Sequence, residues 1–144
     1  MTTARDIMHP GAQCVPASQS LAEAARMMRD QHVGALPICG DDNRLKGIIT
    51  DRDIVVKCIA EGRDPYTTTA MELSENGLYW VEAAADGAEV TRMMREHKIR
   101  RLPVVDRDSR QLVGMISESD LARHLDDRAL TDFVHDICQA PPNN

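Results

Sequence analysis

Two pairs of side chains in this chain have the types and spacing to do chemistry. Thr50 stands three residues before Asp53, and Ser117 stands three residues before Asp120. Each pair follows a glycine and a short apolar run, Gly47-Ile48-Ile49 in one case and Gly114-Met115-Ile116 in the other. The pattern predicts a strand running into a helix, with the hydroxyl at the junction and the carboxylate one turn inside. A helix start carries unpaired N–H groups and partial positive charge, which stabilise a phosphate. The hydroxyl can donate to that phosphate, and the carboxylate can accept both hydroxyls of a ribose. The same spacing is also how a helix caps itself, with hydroxyl and acid each taking a backbone N–H. Both readings stand on the residues alone.

The elements that would position these pairs recur in one order. Ala4–Met8 is a short amphipathic start, stopped by His9-Pro10-Gly11. Cys14-Val15 is a brief strand before Pro16. Ser20 with Glu23 predicts a capped helix to about His32, with Leu21, Ala24, Ala25 and Met28 on its buried face. Val33–Ile38 is a strand whose Pro37 belongs at an edge or an end. A turn at Gly40-Asp41-Asp42-Asn43 leads to the strand Leu45–Thr50, completing a hairpin. From Asp51 the chain reads as helix to near Gly62, with Ile54, Val55, Cys58 and Ile59 sharing a face. Gly62–Thr69 reads as a linker, and the order then repeats.

The correspondence is close. Arg26-Met27-Met28-Arg29 returns unchanged as Arg92-Met93-Met94-Arg95, and Leu36-Pro37-Ile38 returns as Leu102-Pro103-Val104. Asp86 with Glu89 answers Ser20 with Glu23. Pro37 and Pro103 are 66 residues apart, whereas Gly47 and Gly114 are 67 apart, so one residue is inserted in the second hairpin loop. Regular self-similarity of this kind marks duplicated units. The repeats are placed at 1–65 and 66–128, followed by a final helix and tail over 129–144, with Ala129–Cys138 helical. A unit of about 65 residues is marginal alone, so the two should share a core.

Composition narrows the function classes. The chain has 144 residues, 17 Lys plus Arg against 23 Asp plus Glu, and a net charge of −6. That balance argues against broad nucleic-acid or membrane-surface binding. One Trp, two Tyr and one Phe supply no stacking platform for single strands. Met1–Arg5 begins no apolar leader, and no apolar run reaches membrane-spanning length, so a soluble, cytoplasmic protein is expected. Cys39, Cys58 and Cys138 sit beside aliphatic residues and read as reduced, buried thiols; a Cys14–Cys39 disulfide is the alternative. His135 and Cys138 lie one turn apart, but two ligands make no closed metal site. There is no Ser-His-Asp order, paired-carboxylate pocket or Walker loop, so no enzyme is expected.

The Asp6-Ile7-Met8 opening, the two Leu-Pro-(Ile/Val) strands and the two Gly-x-Ile-(Thr/Ser)-x-x-Asp junctions together resemble a tandem pair of cystathionine-β-synthase (CBS) domains, the Bateman module. The resemblance runs from Asp6 to about His124. It implies an α/β fold of two βαββα repeats related by a pseudo-twofold, with sheets packed face to face, usually in a homodimer. It implies that Thr50 with Asp53, and Ser117 with Asp120, hold the phosphate and ribose of an adenine nucleotide such as AMP, ATP or NAD. Arg100 and Arg101 stand close to where family members carry phosphate-facing basic residues, and Lys98 adds charge nearby. Leu36, Pro37, Ile38 and Val104 are candidates for an adenine slot, or else plain core. The basic residues favour the Ser117–Asp120 site. The expectation is a stand-alone regulatory module that requires no cofactor and signals to an unidentified protein partner. A ligand-free structural or redox-responsive dimer using Cys14 and Cys39 is the alternative.

Overall fold

The structure, a computed structural model, describes residues 2–74 and 78–139. The chain divides into two compact units, Gln13–Leu78 and Met1–Ala12 together with Tyr79–Asn144. It opens with α1 (Ala4–Ile7) and β1 (His9–Pro10), which belong to the second of these units.

The first unit begins with β2 (Val15–Pro16) and α2 (Leu21–Gln31). Ser20 caps α2 by accepting from the Glu23 N–H, and His32 ends it in the left-handed conformation. Leu21, Ala24 and Met28 face the core, as their spacing predicts. The hairpin of β3 (Ala35–Cys39) and β4 (Leu45–Thr50) completes a sheet of order β2-β3-β4. Pro37 is therefore in a central strand, not at an edge. The parallel neighbour β2 pairs only Ile38 and Cys39, so the chain meets no second partner at the proline itself. The strand starts at Ala35 rather than Val33, which is exposed.

After β4 the helix is not uniform. A short α3 (Asp51–Asp53) passes into a π-helix, Ile54–Ile59. Its wider turn is carried on by the Ala60 N–H donating to Val55 O and the Arg63 N–H donating to Cys58 O, each five residues back. Ile54 and Cys58 consequently face the core, while Val55 and Ile59 are 58% and 54% exposed. The expected four-residue face is half correct: the buried stripe is confined to Ile54 and Cys58, four residues apart, and their following neighbours Val55 and Ile59 lie on its exposed flank. The unit is closed by α4 (Ala70–Leu73), whose Ala70 and Leu73 join the core of Val15, Leu21, Met28, Leu36, Ile38 and Ile49.

The second unit repeats the order with β5 (Val81–Glu82), α5 (Gly87–His97), β6 (Arg101–Val105), β7 (Leu112–Ser117) and α6 (Glu118–Ala122). Asp86 caps α5 through the Ala88 N–H. The inserted residue lies between β6 and β7, as the spacing predicts. A further helix, α7 (Asp127–Cys138), adds Phe133 and Ile137 to the core with Val90, Met94, Leu102, Val104 and Ile116. Met28 and Met94 are core residues, with Met27 and Met93 packed beside them. The expected tail, Ala140–Asn144, lies outside the described residues.

The compact units are offset from the sequence repeats because the opening segments are exchanged. Helix α4 follows the linker yet docks on the first unit, where the Ala70 N–H donates to Gln19 O and the Met71 N–H to Ala17 O. Its counterpart α1 docks on the second unit in the same way, Ala4 to Ala85 O and Arg5 to Ala83 O. β1 then pairs antiparallel with β7, giving a sheet of order β1-β7-β6-β5.

Candidate functional site

Both predicted pairs form at strand–helix junctions. At the first, the Thr50 hydroxyl accepts from the Asp53 N–H at 3.1 Å, and Asp53 Oδ2 accepts from the Thr50 N–H at 3.0 Å. This is a reciprocal capping box, a feature of roughly 1 kcal/mol. The outer oxygen, Oδ1, is held by Lys57 at 3.1 Å, one turn along the same helical segment.

The second junction has the same box and a different surround. The Asp120 N–H donates to Ser117 Oγ at 3.2 Å, while Asp120 Oδ2 accepts from the Ser117 N–H and hydroxyl, both at 2.9 Å. Here the carboxylate is only 2% exposed. Its outer oxygen meets His9 Nε2 at 2.9 Å and an Arg123 guanidinium nitrogen at 3.5 Å. These two side chains are 68% and 66% exposed, so solvent-facing groups cover a buried carboxylate. His124 Nδ1 lies 2.9 Å from the Asp120 carbonyl oxygen.

The two arginines separate. Arg100, the residue before β6, lies 3.5 Å from Glu118 of α6 and from Ile137 O of α7. Arg101 is the register partner of Ser117 across the hairpin and is half-buried. Cross-strand partners present their side chains on one face, so Arg101 stands beside the Ser117 junction. The equivalent partner of Thr50 is Ala35, which carries no charge. Leu36, Ile38 and Val104 are buried core side chains of their own units, and Pro37 is buried with them.

Cys14 and Cys39 form a disulfide with a Cα–Cα distance of 5.5 Å, beside the Pro16–Cys39 register pair. Cys58 is buried and donates weakly to Arg63 O, as a small hydrophobe would. Cys138 is exposed, which corrects its reading as a buried thiol. The core face of α7 is set by Phe133 and Ile137, and Cys138 is turned away from it. His135 contacts Gln139, and among the described residues no three His, Cys, Asp or Glu side chains converge to hold a metal ion. No described helix is long and apolar enough to cross a membrane.

Sequence reasoning missed His9 and Arg123. Arg123 is one turn beyond Asp120 and could have been found by its spacing. His9 is remote in sequence and reaches Asp120 only through the exchange of α1 and β1. Its counterpart in the repeat is Glu75, which lies outside the described residues.

The CBS domain family matches the chain twice, over residues 4–59 and 72–127. Hypoxic response protein 1 of Mycobacterium tuberculosis is 51% identical over 138 residues, which cover 96% of this chain and 95% of that protein. A CBS domain-containing protein of Bacillus subtilis, YhcV, is 35% identical over 122 residues, covering 85% of this chain and 84% of that one. Among solved structures, the crystal structure of hypoxic response protein I with two coordinated zinc ions has a TM-score of 0.79 at 51% identity, covering 87% of this chain and 100% of that one. CBSX2 in complex with AMP has a TM-score of 0.71 at 27% identity, covering 85% and 94%. Two matched repeats, each with its own α/β unit, make this chain a member of the CBS domain family carrying two such domains in tandem.

Proposed function

We propose that this protein is a regulatory CBS pair that binds an adenine nucleotide, with AMP as the reference ligand, at the Ser117–Asp120 junction. The observation that carries the reading is Asp120. This carboxylate is 2% exposed, with its inner oxygen held by Ser117 and its outer oxygen met by His9 and Arg123. Here it stands in the first turn of α6, just past the end of β7, under a cover of exposed side chains that a ligand can displace. Ribose hydroxyls suit its outer oxygen, and Arg101, beside Ser117, suits the phosphate. The AMP complex of a relative with the same fold supports the choice of ligand class. Thr50 and Asp53 are the weaker site, since the cross-strand partner of Thr50 is the uncharged Ala35 where Ser117 has Arg101.

The reading includes a homodimer, for which exposed Val55, Val56 and Ile59 on the π-helix offer apolar surface, and a protein partner that receives the signal. The test is a thermal-shift titration with AMP, ATP, NAD and S-adenosylmethionine. A ligand at about 100 times its Kd stabilises by roughly 2.7 kcal/mol, a readily measured rise in melting temperature. A saturable shift removed by Asp120→Asn supports the site. No shift from any of the four at millimolar concentration sinks it.

A second reading, a ligand-free redox-responsive dimer, is favoured by one observation, the Cys14–Cys39 disulfide. Thiol counting on oxidised protein should then find only Cys58 and Cys138, rising to four thiols on reduction.

A further inference from the structure

We propose that His9 is a gate on the Asp120 site: its imidazole occupies the carboxylate oxygen that a ribose would take, so ligand must displace it. The inference rests on the nucleotide reading above and adds how that site is regulated. Asp120 Oδ2 is committed to the Ser117 N–H and hydroxyl, which leaves Oδ1 as the oxygen facing outward. His9 Nε2 sits 2.9 Å from that oxygen. An imidazole N–H and a ribose hydroxyl are both donors, and they compete for one acceptor position. Arg123 is more distant, at 3.5 Å, and is the weaker competitor.

The gate is delivered by backbone that does not depend on it. Ala4, Ile7 and Met8 are in the core of the second unit, and Ala4 and Arg5 hydrogen-bond to Ala85 and Ala83. His9 and Pro10 then pair with Met115 and Gly114 of β7. The side chain beyond this anchored backbone is 68% exposed and can swing into water. Among the described residues, the carboxylate of the first junction is met by Lys57, which comes from its own helical segment. Among the described residues the two junctions therefore differ in what covers the carboxylate: Lys57 at Asp53, and His9 from the start of the chain at Asp120.

The experiment is isothermal titration calorimetry with AMP on the full chain, comparing native protein with His9→Ala, His9→Gln and Asp120→Asn. Removing one competing hydrogen bond should tighten AMP binding about three- to tenfold in His9→Ala. His9→Gln restores a donor and should return the affinity toward native, which a purely structural role for His9 would not produce. Asp120→Asn should abolish binding. Unchanged or weakened affinity in His9→Ala, with binding still lost in Asp120→Asn, overturns the gate and leaves the nucleotide site standing. Absence of AMP binding in both native protein and a folded His9→Ala variant overturns the gate and the nucleotide reading together.

Discussion

Arg101 and Ser117 face one another across the β6–β7 hairpin, and among the described residues Arg101 makes no ion pair, whereas Arg100 is engaged by Glu118 and Ile137 O. Two adjacent arginines thus have separate uses. Arg101→Ala should weaken AMP binding by about tenfold or more, the range for a hydrogen bond to a charged group, with little change in melting temperature. Arg100→Ala should lower the melting temperature and change AMP affinity less. Calorimetry and melting curves on both variants check this; equal binding losses would undo the division.

Gly114 lies directly under β1. A Cβ at this position would come within 2.7 Å of His9 O and 3.0 Å of Met8 Cγ. Gly47 occupies the equivalent place under Ser74, where a Cβ would meet Ser74 Cβ at 3.1 Å. Gly114→Ala should therefore destabilise by about 1–3 kcal/mol, as overpacking does. Urea unfolding checks it; an unchanged midpoint would mean that β1 does not sit on β7.

Four carboxyls are held below their ordinary range by hydrogen bonds to their charged form, Asp30 by the Arg29 guanidinium. The Thr3 N–H and hydroxyl lower Asp6, the Thr69 N–H and hydroxyl lower Glu72, and Ser109 with the Asp108 N–H lowers Asp106. A carboxyl depressed in the folded state contributes stability that is full above its unfolded value and lost as pH falls through the folded one. Melting temperature should hold near neutrality and decline from about pH 4 downward. Asp6→Asn and Asp106→Asn should flatten that decline, measured by calorimetry from pH 7 to 3. A native protein with no acid decline would contradict the assignment.

The Cys14–Cys39 bridge closes a segment of 25 residues, for which chain-entropy arguments give about 3 kcal/mol of stabilisation. Reduction, or Cys14→Ser, should lower the melting temperature of the first unit by several degrees. An equal melting temperature with and without reductant would rule out a stabilising bridge.

The sequence was most legible where structure is local. A hydroxyl three residues before an acid, after a short apolar run, can only form within one turn, and both junctions are found where the spacing places them. Ser20, the face of α2 and the inserted hairpin residue were readable for the same reason. Pro37 was misjudged because a central strand whose neighbour is two residues long is nearly an edge, a length that no local pattern shows. Val55 and Ile59 were misjudged because the buried stripe of this segment is only one residue wide, and each of them is the exposed neighbour of a core residue. The motif glycines were visible, but the cause was not: they make room for a segment contributed from elsewhere in the chain. His9 at Asp120 depends on the same long-range docking, and no spacing within a repeat announces it.

That docking bears on how the duplicated chain arose. A chain of residues 1–65 alone would carry α1 but lack α4, the helix that fills its own unit. The two helices are alike, Ala-Arg-Asp-Ile and Ala-Met-Glu-Leu, each with its buried residues at the first and last positions. A second copy could therefore lend its α1 to the vacant place, and each copy would complete the other. An ancestral single repeat closing in this reciprocal way is a domain-swapped dimer, and gene fusion would convert that swap between molecules into the exchange within one chain.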